Sequence, residues 1–126
     1  MNDSIGRLFD AVVAVKQADP AASRTARLLR AGRAKMAKKL AEEAVEVVID
    51  AMTGNRNAVV NESADLLYNL VVLWVASGVH PGDVWKEMER RERLFGIAEK
   101  RRKDSPDSEI RRKVVALEAQ RLHKRR

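Results

Sequence analysis

A chain of 126 residues suffices for one compact domain and not for two, and its lack of cysteine excludes disulfides, zinc thiolate sites and cysteine nucleophiles. Aromatic residues make up only 4% of it, and a chain rich in Ala, Val and Leu suits helix-on-helix packing better than a sandwich or barrel. The net charge of +7 sits entirely at the end: residues 1–99 carry 14 basic and 14 acidic side chains, and residues 100–126 carry 11 and 4. The body is therefore electrically balanced, and its basic isoelectric point does not mark it as a polyanion binder.

Ser4 is the expected N-cap of a first helix with apolar positions Ile5, Leu8, Phe9, Val12 and Val13, ended by Asp19-Pro20. Residues 23–31 form a short helical or loop segment that closes at Gly32. The next helix runs from about Arg33 to Met52, with Met36, Leu40, Ala44, Val47, Val48 and Ala51 as its core stripe. Thr53-Gly54-Asn55 breaks it. A helix over about 58–76 follows, apolar nearly all round in its second half, and Ser77-Gly78 ends it. Pro81 suits the first turn of a further helix with Val84, Trp85 and Met88 facing in. His80 belongs to the cap region of that helix, and the cluster from Arg90 to Arg93 reads as surface. Lys100–Lys103 marks a boundary, and Ser105-Pro106 begins a tail helix with Ile110, Val114 and Leu117 on one side. The expected fold is all-α, a four- to five-helix bundle-like protomer whose domain covers residues 1–103, with a basic helical extension over 104–126. The apolar run from Leu70 to Ala76 is too short to span a bilayer, and the N-terminus has no charged-plus-apolar leader, so a cytoplasmic protein is expected.

The acids carry the functional signal. Glu43 and Glu46 are three residues apart and so lie within about 60° on one helix. Glu62 and Asp65 repeat that spacing on the next helix, and Asn69 continues their stripe. A connection over residues 53–57 makes the two helices antiparallel neighbours, so the pairs can converge. Packed carboxylates repel unless a cation sits among them. An all-oxygen set favours Mg²⁺ or Mn²⁺ over zinc. Asp65, a poor helix former placed just before Leu66-Leu67, points to such a role, whereas Glu42 and Glu43 alone would read as a solvated face. Lys35 and Lys39 precede the acids on the same stripe, against the order that the helix dipole favours.

The pattern Glu42-Glu43-Ala44-Val45-Glu46 followed by Glu62-Ser63-Ala64-Asp65 resembles the all-α nucleotide pyrophosphohydrolases of the MazG-like superfamily. Ser23-Arg24-Thr25-Ala26, Gly32-Arg33-Ala34-Lys35-Met36, Lys38-Lys39, Ala64-Asp65-Leu66-Leu67-Tyr68 and Gly96-Ile97-Ala98-Glu99-Lys100 are similar to its phosphoribosyl-ATP pyrophosphatases, which catalyse the second step of histidine biosynthesis. The resemblance covers about residues 5–103. It implies a fold completed by dimerisation, or by higher homo-oligomerisation. It also implies Mg²⁺ held by Glu43, Glu46, Glu62 and Asp65, with Glu42 or Glu46 taking the proton of an attacking water. Arg33, Lys35, Lys38 and Lys39 would meet substrate phosphates, and Ser23 and Thr25 the ribose or phosphates. Asn69 stands where the family often has His, Ala41 where Gly is common, and the tail exceeds the usual length. Asn69 is accordingly taken as a substrate-side residue that bears on which nucleotide is cleaved. The implied reaction is hydrolysis of phosphoribosyl-ATP to phosphoribosyl-AMP and pyrophosphate. A house-cleaning nucleoside triphosphate pyrophosphohydrolase is the alternative within the superfamily. A basic-tailed nucleic-acid-binding module is the alternative of another class, and the absence of aromatics from the tail for base stacking argues against it.

Overall fold

The computed structural model describes residues 3–95 and, beyond them, residues 112, 113, 115–117, 119 and 120. Five helices are delimited: α1 (Ser4–Ala14), α2 (Arg24–Ala31), α3 (Arg33–Met52), α4 (Arg56–Ser77) and α5 (Pro81–Phe95). There is no strand among the described residues. By its contacts the chain divides after Trp85, and the first unit holds α1 to α4 and the start of α5. The described residues from 112 to 120 are helical and exposed, including Val115 and Leu117. The expected boundary near residue 103, the Gly96–Lys100 motif, the Ser105-Pro106 cap, Ile110 and Val114 lie outside the described residues.

Local chemistry explains where the helices start and stop. Asp3, not Ser4, caps α1: its Oδ1 accepts from the Gly6 backbone N–H at 3.2 Å. Glycine at position 6 leaves room for that carboxylate, since a Cβ there would come within 2.5 Å of Asp3 Oδ2. The α1 helix stops at Ala14, short of the expected Asp19-Pro20, and Lys16–Ala22 run as turns. Past the half-buried Val15, Lys16 and Asp19, one and two turns beyond the buried Val12, are exposed and polar, so a longer helix would gain little burial. Ser23 Oγ caps α2 by accepting from Ala26 N–H at 3.1 Å. Asn55 Oδ1 caps α4 by accepting from Ala58 N–H at 3.1 Å. At Gly78, φ of +71° gives the left-handed turn that ends α4.

Gly32 alone joins α2 to α3, with φ +97° and ψ 165°. That region of backbone space is almost closed to residues with a Cβ. Nothing lies within 4 Å of a Cβ built at this position, so the constraint is conformational and not steric crowding. Replacing Gly32 by Ala should therefore destabilise the fold by about 1–3 kcal/mol, measured by urea denaturation. An unchanged midpoint would show that the α2–α3 corner is not held in this conformation.

The α3 and α4 helices form an antiparallel pair, joined by Thr53-Gly54-Asn55, and make the most extensive helix contact among the described residues. The α1 helix packs on α4, and α2 packs on α3 and α4. Val12, Leu28, Met36, Val71 and Val72 form the core, flanked by Ile5, Leu8, Phe9, Leu29, Tyr68 and Leu73 to Ala76. Thr25 Oγ1 and the Tyr68 hydroxyl share a 2.6 Å hydrogen bond that pins α2 to α4. By length and composition α4 is long and apolar enough to cross a membrane, with a mean hydropathy of 1.3 over its most apolar window. Here it is the helix on which α1, α2 and α3 pack, the position of a core helix.

The core occupies only one end of the α3–α4 pair. Past it, both helices project with apolar side chains uncovered: Val45, Val48, Ile49 and Met52 on α3, and Val60 and Leu67 on α4. Val48 and Ala51, expected in the core stripe, are exposed, as is Val13 on α1. Trp85 and Met88, expected to face in, are each 40% exposed. Trp85 still meets Trp74 edge to face, with ring centroids 6.3 Å apart. His80 is a cap residue as expected. Its N–H donates to Asp83 Oδ2 at 3.0 Å, and its Nδ1 accepts from Gly82 N–H at 2.9 Å.

Candidate active site

The acidic pairs meet where the α3–α4 pair leaves the core. One carboxylate oxygen each from Glu43, Glu62 and Asp65 lies within 4.8 Å of the other two. Glu43 and Glu62 are half-buried, and Asp65 is exposed rather than enclosed by the apolar segment that follows it. Helical spacing explains this geometry. An i,i+3 step on α4 aims Glu62 and Asp65 to one side, and the antiparallel partner brings Glu43 opposite them.

Two features of the cluster are compatible with a bound cation. Glu43 Oε2 and Glu62 Oε2 are buried, and neither has a hydrogen-bond partner. Ionised carboxylates have no proton to donate, so these oxygens cannot satisfy one another. Glu62 meets the problem by holding a proton: its pKa is pushed up from 4.5 to about 7. The largest cause is the hydrogen bond to Glu43 that opens to Glu62 only when it is protonated, then the one to Glu46, then burial, then the charges of both neighbours. The orphaned oxygens and the all-carboxylate donor set fit a hard divalent cation.

Glu46 is close enough to Glu62 to contribute to that shift but is not one of the three converging groups. With Glu42 it lines a separate cavity of about 490 Å³, together with Lys38, Ala41, Val45 and Ile49. Lys35 and Lys39 line a different cavity, between α2 and α3, with Arg24, Arg27, Leu28 and Ala31. Lys35 and Lys39, expected on one stripe, thus stay together, and Lys38 falls on another side of α3. Arg33 is exposed and borders neither cavity. The Ser23 hydroxyl is engaged as a helix cap and that of Thr25 in the bond to Tyr68.

Asn69 is 4% exposed, one turn beyond Asp65 on α4. Its Nδ2 donates to the Asp65 carbonyl oxygen at 2.8 Å, and its Oδ1 is buried with no partner. Sequence reading did not single out Arg24, Arg27 or the Thr25–Tyr68 bond. The signal for the arginines was their spacing of three on a helix of eight residues, which puts both on one side.

The chain is also similar to known proteins over most of its length. A family model described as phosphoribosyl-ATP pyrophosphohydrolase matches residues 7–92. A protein of Rhodopseudomonas palustris named phosphoribosyl-ATP pyrophosphatase 2 is 58% identical over 131 aligned positions, covering all of both chains. One of the same name from Bradyrhizobium diazoefficiens is 58% identical over 133, covering 99% of each. A phosphoribosyl-ATP pyrophosphatase of Azospirillum brasilense is 50% identical over 101, covering 80% of this chain and 91% of its own length.

Proposed function

The chain belongs to the phosphoribosyl-ATP pyrophosphohydrolase family, and on that premise we propose that it cleaves its substrate at the Glu43, Glu62 and Asp65 cluster. The reaction is hydrolysis of the α–β phosphoanhydride of phosphoribosyl-ATP, giving phosphoribosyl-AMP and pyrophosphate, the second step of histidine biosynthesis. The observation that carries the assignment is the convergence of three carboxylates from two helices, two of them with buried, unpartnered oxygens.

Glu43, Glu62 and Asp65, with Glu46 beside them, would hold Mg²⁺, with Mn²⁺ as a substitute of similar chemistry. A cation bound there supplies positive charge to the phosphate oxygens and makes water a better nucleophile. Glu46, which acts on Glu62, and Glu42, which lines the neighbouring cavity with it, are the carboxylates we assign to take the proton of the attacking water. Lys38 shares their cavity and is placed to neutralise charge that builds on the departing pyrophosphate. Val45 and Ile49 line the same cavity and continue with Val48 and Met52 as one apolar face, which we assign to contact with a second copy of the chain.

Purified protein with Mg²⁺ should release pyrophosphate from phosphoribosyl-ATP, and EDTA should stop it. Glu46→Gln should lower kcat by about 100-fold or more, as loss of a general base does. Wild-type protein inert toward phosphoribosyl-ATP but active on ordinary nucleoside triphosphates would transfer the site to the house-cleaning reaction instead.

A further inference from the structure

Phosphoribosyl-ATP differs from ATP in having two anionic ends: the triphosphate, and a phosphate on a second ribose attached to the base. The carboxylate cluster and Lys38 serve the first end. We propose that the cavity between α2 and α3, lined by Arg24, Arg27, Leu28, Ala31, Lys35 and Lys39, receives the second as a sugar-phosphate subsite and sets the preference for phosphoribosyl-ATP over ATP. The proposal rests on the assignment of the cleavage site made above.

Four of the six lining residues are cations, and no carboxylate borders the cavity. Among the described residues none of the four takes part in an ion pair. Like charges gathered on one cleft repel, and an anion between them relieves the strain. The Arg27 Nη1 donates to the Pro20 carbonyl oxygen at 3.0 Å, which fixes the guanidinium and leaves its remaining donors free to meet phosphate. Leu28, almost buried, and Ala31 provide apolar surface for the carbon face of a ribose. The volume of about 310 Å³ suits a sugar phosphate and is small for a whole nucleotide.

Position separates this subsite from the one for the triphosphate. Lys39 and Lys35 precede Glu43 by four and eight residues on α3, about 6 and 12 Å along the axis. The opposite wall, Arg24 and Arg27, stands on another helix and is left for a group held apart from the triphosphate by the rest of the substrate.

The test compares the KM for phosphoribosyl-ATP with the Ki of ATP as a competitor, in wild type, Arg27→Gln and the Arg24→Gln, Arg27→Gln double variant. Both arginines are exposed, so the variants should fold, and Arg27→Lys serves as a conservative control. The subsite requires KM to rise about 10- to 100-fold per arginine, with kcat and the ATP Ki moving far less and Arg27→Lys recovering part of the loss. In EDTA, ribose 5-phosphate titrated into the wild type should bind saturably and should lose affinity in the variants. If KM and the ATP Ki rise together, the cations serve the triphosphate and the proposal is overturned, as it is if KM stays unchanged. A wild type that binds ribose 5-phosphate through Arg27 yet leaves phosphoribosyl-ATP intact would overturn the assigned reaction and retain the subsite.

Discussion

Glu62→Gln should abolish Mg²⁺-dependent pyrophosphate release while making the metal-free fold more stable at neutral pH. The two effects have one origin. Glu62 faces Glu43 and Glu46, and in the absence of a cation it holds a proton up to about pH 7, against 4.5 when unfolded. Between those values the folded chain binds a proton that the unfolded chain has released, so metal-free stability falls as pH rises through that window and levels off above it. A cation replaces the proton, so the rise in Tm caused by Mg²⁺ should grow from pH 4.5 to about 7 and then plateau. Glutamine keeps the shape, donates to the orphaned Glu43 oxygen and removes one charge. The variant should lose the pH slope, lose the Mg²⁺ response, and lower kcat/KM by at least about 100-fold, since even outer partners of a metal site cost up to that much. Thermal melts in EDTA and in Mg²⁺ across this pH range, with a pyrophosphate assay, check all three. A variant that melts lower than wild type in EDTA at pH 8 would show that the cluster is not held together against repulsion.

The paired acids were legible because an i,i+3 repeat survives in any helix, and because a connection of three residues leaves two helices little choice but to lie antiparallel. Met36, Leu40 and Val47 also followed from periodicity, being buried or half-buried. What periodicity cannot give is which neighbour occupies which side. Lys35, Lys38 and Lys39 read as one basic set, but α2 packs against only one flank of α3 and so divides them between two cavities. Val48 and Ala51 satisfy the helical repeat, yet the core ends before reaching them. Asp3 took the cap expected of Ser4 because Gly6 admits its carboxylate, a fit between two side-chain volumes that no single position signals. The Thr25–Tyr68 bond spans 43 positions, and sequence spacing carries no information over that range.

Val48→Asp should split a homodimer and remove most of the activity without unfolding the chain. On α3, Val45, Val48, Ile49 and Met52 follow the i, i+3, i+4, i+7 repeat and form one stripe, with Met52 83% and Val48 60% exposed. Val60 and Leu67, two turns apart on α4, are uncovered as well. In the single chain an aspartate at position 48 stays in water and changes stability by no more than about 0.5 kcal/mol. Between two copies related by a twofold axis it would appear twice, each time as an unpaired carboxylate against apolar side chains. Several kcal/mol of desolvation then opposes assembly, and each 1.4 kcal/mol weakens it about tenfold. Catalysis should fall with association because Val45 and Ile49 of the stripe also wall the cavity of Lys38, Glu42 and Glu46. In the single chain that cavity is open to solvent on the stripe's side, so charge there is screened by water unless a second copy covers it. Sedimentation velocity and pyrophosphate release on the same samples test the link. A wild type that sediments as a fully active monomer would break it, and the apolar stripe would then need another occupant.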